Sequence, residues 1–147
     1  IEGSALKGKK VVSVEDGLAI DTEGKIYTWG RNDYGQLGDG TKENRYIPKC
    51  ISEIEGSALK GKKIVSLEGY FSKYAIDTEG KIYTWGYNYY GQLGDGTKED
   101  RSTPICINNS EKNKIVKVVN SFENEEGFIF IKDKGESYCI YVDKGPE

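Results

Sequence analysis

Short apolar runs separated by glycine-rich polar stretches pattern the chain with a period of two, and no segment sustains the period of a helix. Val11-Val12-Ser13-Val14 and Ile64-Val65-Ser66-Leu67 are β-branched runs of strand length. From Lys25 to Trp29 the residues alternate, with Ile26 and Thr28 on one face of a strand and Tyr27 and Trp29 on the other. Before each alternating run, Thr-Glu-Gly-Lys places Gly24 or Gly80 in a tight turn that joins two antiparallel strands. A fourth short strand is expected over Ile47 to Ile51 and again over Ile105 to Ile107. It begins after Pro48 or at Pro104, because proline is tolerated at strand starts and edges. The stretches rich in Gly, Asp, Asn and Thr are loops, and Ser57-Ala58-Leu59-Lys60 makes at most a single turn.

This pattern is used twice. Ala19-Ile20-Asp21-Thr22-Glu23-Gly24-Lys25-Ile26-Tyr27-Thr28-Trp29-Gly30 returns unchanged as Ala75 to Gly86. Asn32 and Tyr34 to Glu43 likewise return as Asn88 and Tyr90 to Glu99. Residues 1–10 equal residues 54–63, a period of 53, whereas the tryptophan segment repeats at 56. The difference lies in one turn, where Glu15-Asp16-Gly17-Leu18 becomes Glu68-Gly69-Tyr70-Phe71-Ser72-Lys73-Tyr74. A third unit opens with Lys114-Ile115-Val116-Lys117-Val118 and runs through Phe128 to Gly135. It then departs, with Tyr138-Cys139-Ile140-Tyr141 in place of Tyr-Thr-Trp-Gly. The expected units are residues 1–53, residues 54–109 and a partial, degenerate third over 110–147. Such a unit buries its apolar side chains only against a neighbour, and four short antiparallel strands per unit describe a β-propeller blade.

The pattern Ala-Ile-Asp-Thr-x-Gly-x-Ile-Tyr-x-Trp-Gly-x-Asn-x-x-Gly-Gln-Leu-Gly-x-Gly, followed by Pro-x-x-Ile, resembles the repeat of the regulator of chromosome condensation family, the RCC1-like domains. The family often carries His shortly before the Ala-Ile strand; here neither Leu18 nor Tyr74 nor any other position supplies one. The resemblance implies an all-β fold of RCC1-type blades, two full and a degenerate third, as part of a ring of about seven blades. Closing that ring requires the remainder of a longer chain or self-association. The resemblance also implies three functional classes: a non-catalytic protein-binding scaffold, a guanine-nucleotide exchange factor for a small GTPase, and a secreted propeller inhibitor of a hydrolase.

Composition narrows the chemistry. Basic and acidic side chains, 21 and 24, are interspersed, so no basic footprint points to a nucleic-acid partner. No apolar run approaches the length that crosses a bilayer as a helix, and no membrane partner is expected. Only 36% of residues are apolar, so 11 Tyr and 2 Trp must carry much of the buried area in a thin core. Cys50 and Cys106 occupy equivalent Pro-x-Cys-Ile positions, which favours buried, reduced strand residues over a disulfide framework. The absence of His and of any Cys-x-x-Cys disfavours zinc.

No catalytic residue, metal site or cofactor is expected. Without His there is no triad, and Ser13 and Ser66 have no basic neighbour in sequence. Gly-Gln-Leu-Gly-Asp-Gly lacks the Lys-Ser/Thr ending of a phosphate loop, and Asp33, Asp39 and Glu43 do not follow EF-hand spacing. Trp29, Gly30, Gly35, Gln36 and Gly38, with Trp85, Gly86, Gly91, Gln92 and Gly94, are read as residues that build the blade, since repeated positions usually maintain the repeat. Recognition then falls to positions that differ between the copies. Arg31-Asn32-Asp33-Tyr34 becomes Tyr87-Asn88-Tyr89-Tyr90, and the longer turn adds aromatics. Tyr70, Phe71, Tyr87 and Tyr89 are the expected contacts to another protein, because loop aromatics bury much area for little entropy lost.

Overall fold

The computed structural model describes residues 3–15, 17–107, 115–120, 126–132 and 137–143, with the backbone alone for 12–15 and beyond 107. Ile1, Glu2, Asp16, Lys114 and the turn Asp133 to Gly135 lie outside the described residues. The described residues form three antiparallel sheets and no helix. The first holds β1 (Val11–Glu15), β2 (Leu18–Asp21), β3 (Ile26–Gly30) and β4 (Arg45–Cys50) in sequential order. The second repeats that order with β5 (Ile64–Gly69), β6 (Ser72–Asp77), β7 (Ile82–Gly86) and β8 (Arg101–Cys106). In the third, β9 (Ile115–Asn120), β10 (Glu126–Lys132) and β11 (Ser137–Asp143) pair in turn, and β9 lies against β5 and β6.

Each hairpin closes through its own aspartate. Asp21 Oδ1 accepts from the backbone N–H groups of Glu23 and Lys25 at 2.9 and 3.0 Å, while Oδ2 takes the Tyr27 hydroxyl at 2.7 Å. Asp77 does the same with Glu79, Lys81 and Tyr83. One short sequence thereby fixes both the turn and the inner rotamer of its tyrosine.

The outer strands begin earlier than the proline rule suggests, at Arg45 and Arg101. Pro48 and Pro104 fall in the irregular stretches between Thr28↔Lys49 and Gly30↔Arg45, and between Thr84↔Ile105 and Gly86↔Arg101. A ladder already interrupted loses little by a missing N–H. Cys50 and Cys106 form no disulfide, but they are half-buried rather than buried, because β4 and β8 are edge strands covered on one side only. Burial still pushes the Cys50 thiol above its ordinary range.

The core sits between the first two sheets. Leu18, Ile20, Ile26 and Ile51 of the first meet Ile64, Leu67, Ala75, Tyr83 and Trp85 of the second, with Leu59 of the connecting segment fully buried among them. The interface is asymmetric: an aliphatic face meets an aromatic one. Trp85 is 0% exposed, and its indole N–H donates to the backbone oxygen of Gln36 at 3.0 Å. Gly38 lets that loop approach, since a Cβ there would lie 2.8 Å from Trp85 Nε1. The equivalent Trp29 remains half-buried, and on the same sheet Tyr46 and Ile47 are exposed.

Trp85→Ala is therefore expected to cost about 3–5 kcal/mol, and Trp29→Ala less than half as much, as read by urea unfolding. Gly38→Ala is expected to lower stability more than Gly40→Ala; both residues have positive φ, but a Cβ at Gly40 meets nothing closer than 3.8 Å. Equal losses at the two glycines would contradict the packing role of Gly38.

Candidate functional site

After β3 and β7 the chain makes one loop twice, tied by a buried asparagine. Asn32 is 0% exposed; its side-chain amide donates to the backbone oxygens of Thr41 and Glu43, each at 2.9 Å, and its Oδ1 accepts from Leu37 N at 3.0 Å. Asn88 repeats these bonds to Thr97, Glu99 and Leu93. The loop carbonyls are thus satisfied from within, which gives a polar loop a fixed shape without regular structure. Asp39 adds a pair to Arg45, and Asp95 pairs with Arg101 at 2.7 Å. Those carboxylates are engaged in holding the loop.

Upon this base lies a continuous strip of aromatic rings. The turn between β5 and β6 carries Tyr70 and Phe71, whose centroids are 4.5 Å apart edge to face; the residues added in the second unit lengthen β5 and β6 rather than the turn expected from the sequence. Phe71 meets Tyr34 of the first loop at 5.7 Å, and Tyr34 meets Tyr87 of the second at 4.9 Å. Tyr87 lies 6.5 Å from Tyr89 and 6.3 Å from Tyr90, which are themselves edge to face at 5.1 Å. Edge-to-face pairs add about 0.5–1.5 kcal/mol each beyond the area they bury, so the strip is ordered as well as apolar. Gly86 sets its middle: a Cβ there would lie 2.2 Å from Phe71 O, and the open space lets Tyr87 N donate to that oxygen at 2.9 Å.

Cations flank one end. The Arg31 guanidinium lies 5.2 Å from the Phe71 centroid and 5.5 Å from that of Tyr34, within cation–π range. It also grips Asp33 through two bonds of 2.7 Å and holds that carboxyl below its usual range. Lys73, nearly buried, donates to Gly69 O at 2.9 Å with its ammonium 5.9 Å from the Tyr70 ring. Together with Trp29, Gln36, Leu37, Tyr70 and Phe71, these two cations line a cavity of about 100 Å³, the size of a small side chain.

The four residues singled out from the sequence thus lie in one strip, in unequal positions. Tyr70 and Tyr89 are 57% and 64% exposed, Phe71 is half-buried, and Tyr87 is buried beneath its neighbours. Sequence reasoning missed Tyr34 and Tyr90 as members. Both are repeated, and repetition argued for a role inside the blade, yet Tyr34 links the turn between β5 and β6 to the second loop and Tyr90 is 43% exposed. Of the repeated residues, Gln36, Gly38 and Trp85 meet between the sheets, whereas Trp29 lies half-buried outside that interface.

The carboxylates below the strip make its support pH-dependent. Burial of Asp95 raises its pKa, but bonds from Thr97, Arg101 and Asn88 outweigh that and lower it from 3.8 to about 2. A folded-state value below the unfolded one contributes stability that is present above pH 4 and lost as pH falls toward 2, on the order of 2 kcal/mol. Urea midpoints should fall across that window in the native chain and change less in Asp95→Asn; equal acid sensitivity would remove Asp95 as the source.

The family model of the regulator of chromosome condensation (RCC1) repeat matches residues 23–68 and 79–120. Each match starts at a hairpin turn of one sheet and ends in or after the first strand of the next, so the repeat straddles the sheet junction. The chain is similar to the human E3 ubiquitin-protein ligase HERC2, 36% identical over 113 residues, which are 74% of this chain and 2% of HERC2. It is also similar to the ultraviolet-B receptor UVR8 of Arabidopsis thaliana, 33% identical over 115 residues, 76% of this chain and 25% of the receptor. The chain therefore spans a quarter or less of these curated relatives. Among solved structures, human WBSCR16 superposes with a TM-score of 0.76 at 22% identity, over 90% of this chain and 33% of that one. Yeast RCC1 (Prp20), solved bound to Kap60, gives 0.63 at 25% identity, over 83% and 29%.

Proposed function

The chain belongs to the RCC1 repeat family, and from that premise we propose that it is a non-catalytic protein-binding segment of an RCC1-like propeller, with the aromatic strip as its contact surface. The observation that carries this reading is the run Tyr70, Phe71, Tyr34, Tyr87, Tyr89 and Tyr90, exposed at both ends and fixed in the middle by buried loop bonds. Rings held in place lose little entropy on association, and aromatic anchors dominate interface energetics. Yeast Prp20, to which the chain is similar at 26% identity, has binding properties toward Gsp1p and histones, which supports a protein as the class of partner. The half-buried Trp29 with exposed Tyr46 and Ile47 marks a second face, suited to another sheet of the same kind. The rest of a longer chain or a further copy would supply that sheet.

Replacing Tyr70, Phe71 and Tyr89 together by Ser is expected to weaken capture of a purified partner by at least tenfold, about 1.4 kcal/mol, with the thermal midpoint changed by no more than about 5 °C. Unchanged capture by a folded triple variant would move the contact surface elsewhere. The native chain should leave nucleotide release from small GTPases at its intrinsic rate; acceleration would replace this reading with nucleotide exchange.

A further inference from the structure

The two loops are built alike except at three positions, where Arg31, Asp33 and Asn44 of the first become Tyr87, Tyr89 and Asp100 of the second, and the exchange of Asp33 leaves one buried donor without an acceptor. In the first loop Gln36 Oε1 accepts from Tyr34 N at 2.8 Å, and Gln36 Nε2 donates to Asp33 Oδ1 at 3.3 Å. In the second, Gln92 Oε1 accepts from Tyr90 N at 2.9 Å in the same way, but Tyr89 stands where Asp33 would be. Gln92 is 0% exposed, and its Nε2 is the one enclosed side-chain nitrogen or oxygen among the described residues with no hydrogen-bond partner. Buried amide donors are almost always paired, so this one marks a missing group.

The first loop identifies that group. Where the chain completes the arrangement itself, it uses a carboxylate oxygen. The nearby carboxylates of the second loop are engaged elsewhere: Asp95 with Arg101, Thr97 and Asn88, and Asp100 with Asn88 N at 2.8 Å. The same loop carries Tyr89 and Tyr90, 64% and 43% exposed, whose rings offer apolar surface and whose phenols are hydrogen-bond donors. We infer that the loop of residues 87–92 is a carboxylate-accepting site, completed by a Glu or Asp side chain of the protein partner, which takes the place that Asp33 holds in the first loop. The inference rests on the protein-binding reading and names the chemistry of the partner. Because Gln92 is enclosed, binding includes a shift of the loop rim that uncovers the amide; the acidic side chain then accepts from Gln92 Nε2 while its flanking apolar residues lie on the tyrosines. A carboxylate forms the stronger bond to a neutral donor than an amide oxygen of the same shape does.

The test compares two fluorescein-labelled peptides that differ only in one central residue, Glu or Gln, flanked by Leu and Phe, binding to the full chain by anisotropy. The Glu peptide is expected to bind about tenfold more tightly than the Gln peptide. Tyr89→Ser, which removes the ring and adds no acid, keeps that preference. Tyr89→Asp supplies the carboxylate from within the chain; it reduces the preference to less than about threefold and raises the thermal midpoint above that of Tyr89→Ser. Equal affinity for the two peptides, no binding of either, or a preference that survives Tyr89→Asp would each overturn the inference. Equal affinity that falls in the Tyr70, Phe71 and Tyr89 triple variant would overturn it while leaving the protein-binding reading intact. That reading fails separately, when the triple variant captures the partner unchanged.

Discussion

The contact between the indole of Trp85 and the loop at Gly38 is the constraint from which the other features follow. It joins the aromatic face of one sheet to the aliphatic face of the sheet before it, with a hydrogen bond that fixes their angle and spacing. Because the two faces differ, sheets add in one direction and cannot pair face to like face. The first sheet shows what that implies at an end: its own aromatic face keeps Trp29 half-buried and Tyr46 86% exposed. Two such sheets form a core thin in residues yet dense in area, consistent with a chain of modest apolar content and many tyrosines.

The junction also decides where recognition takes place. The loop of the first sheet is held against β7 and β8 of the second, where Gly40 N donates to Ser102 O at 2.8 Å and the Gln36 backbone receives the indole. The turn between β5 and β6 ends at the same border. Residues on three separate segments therefore meet in one strip, which neither loop would form alone. The strip varies between repeats while the asparagine bonds below it do not. Asn32 and Asn88 make the same contacts beneath Arg31 and Asp33 in one case and Tyr87 and Tyr89 in the other. A loop satisfied from within tolerates substitution at its rim, where side chains meet solvent or a partner.

Polar groups divide along the same line. Asp21, Asp77, Asp39 and Asp95 are bound by local donors and serve the fold. Arg31 and Asp33 neutralise each other at the rim of the first loop, and the second loop has aromatic rings in both places. The cost of that exchange falls on the amide of Gln92, which lost its acceptor when the rim turned apolar.

Much of the fold was legible in the order of residues. Strand positions, hairpin turns, the pairing of faces along β3 and the blade unit depend on contacts within a few residues, or on a pattern the chain states twice. The outer strands were misplaced at their starts, because whether a proline breaks a ladder depends on the partner strand's bulge. Leu59, in a stretch read only as at most a single turn, is fully buried, since the packing of the two sheets encloses it. Tyr70, Phe71, Tyr87 and Tyr89 stood out by differing between copies, whereas Tyr34 was hidden by its repetition and Gln92 by an unchanged identity in a changed setting. The amino-acid order by itself determined the strands, the turns and the repeat, because period and turn chemistry act locally. Only the tertiary structure decided which tyrosines touch, which indole is covered and which amide has no acceptor, because those are distances between segments that the packing of one sheet on the next brings together.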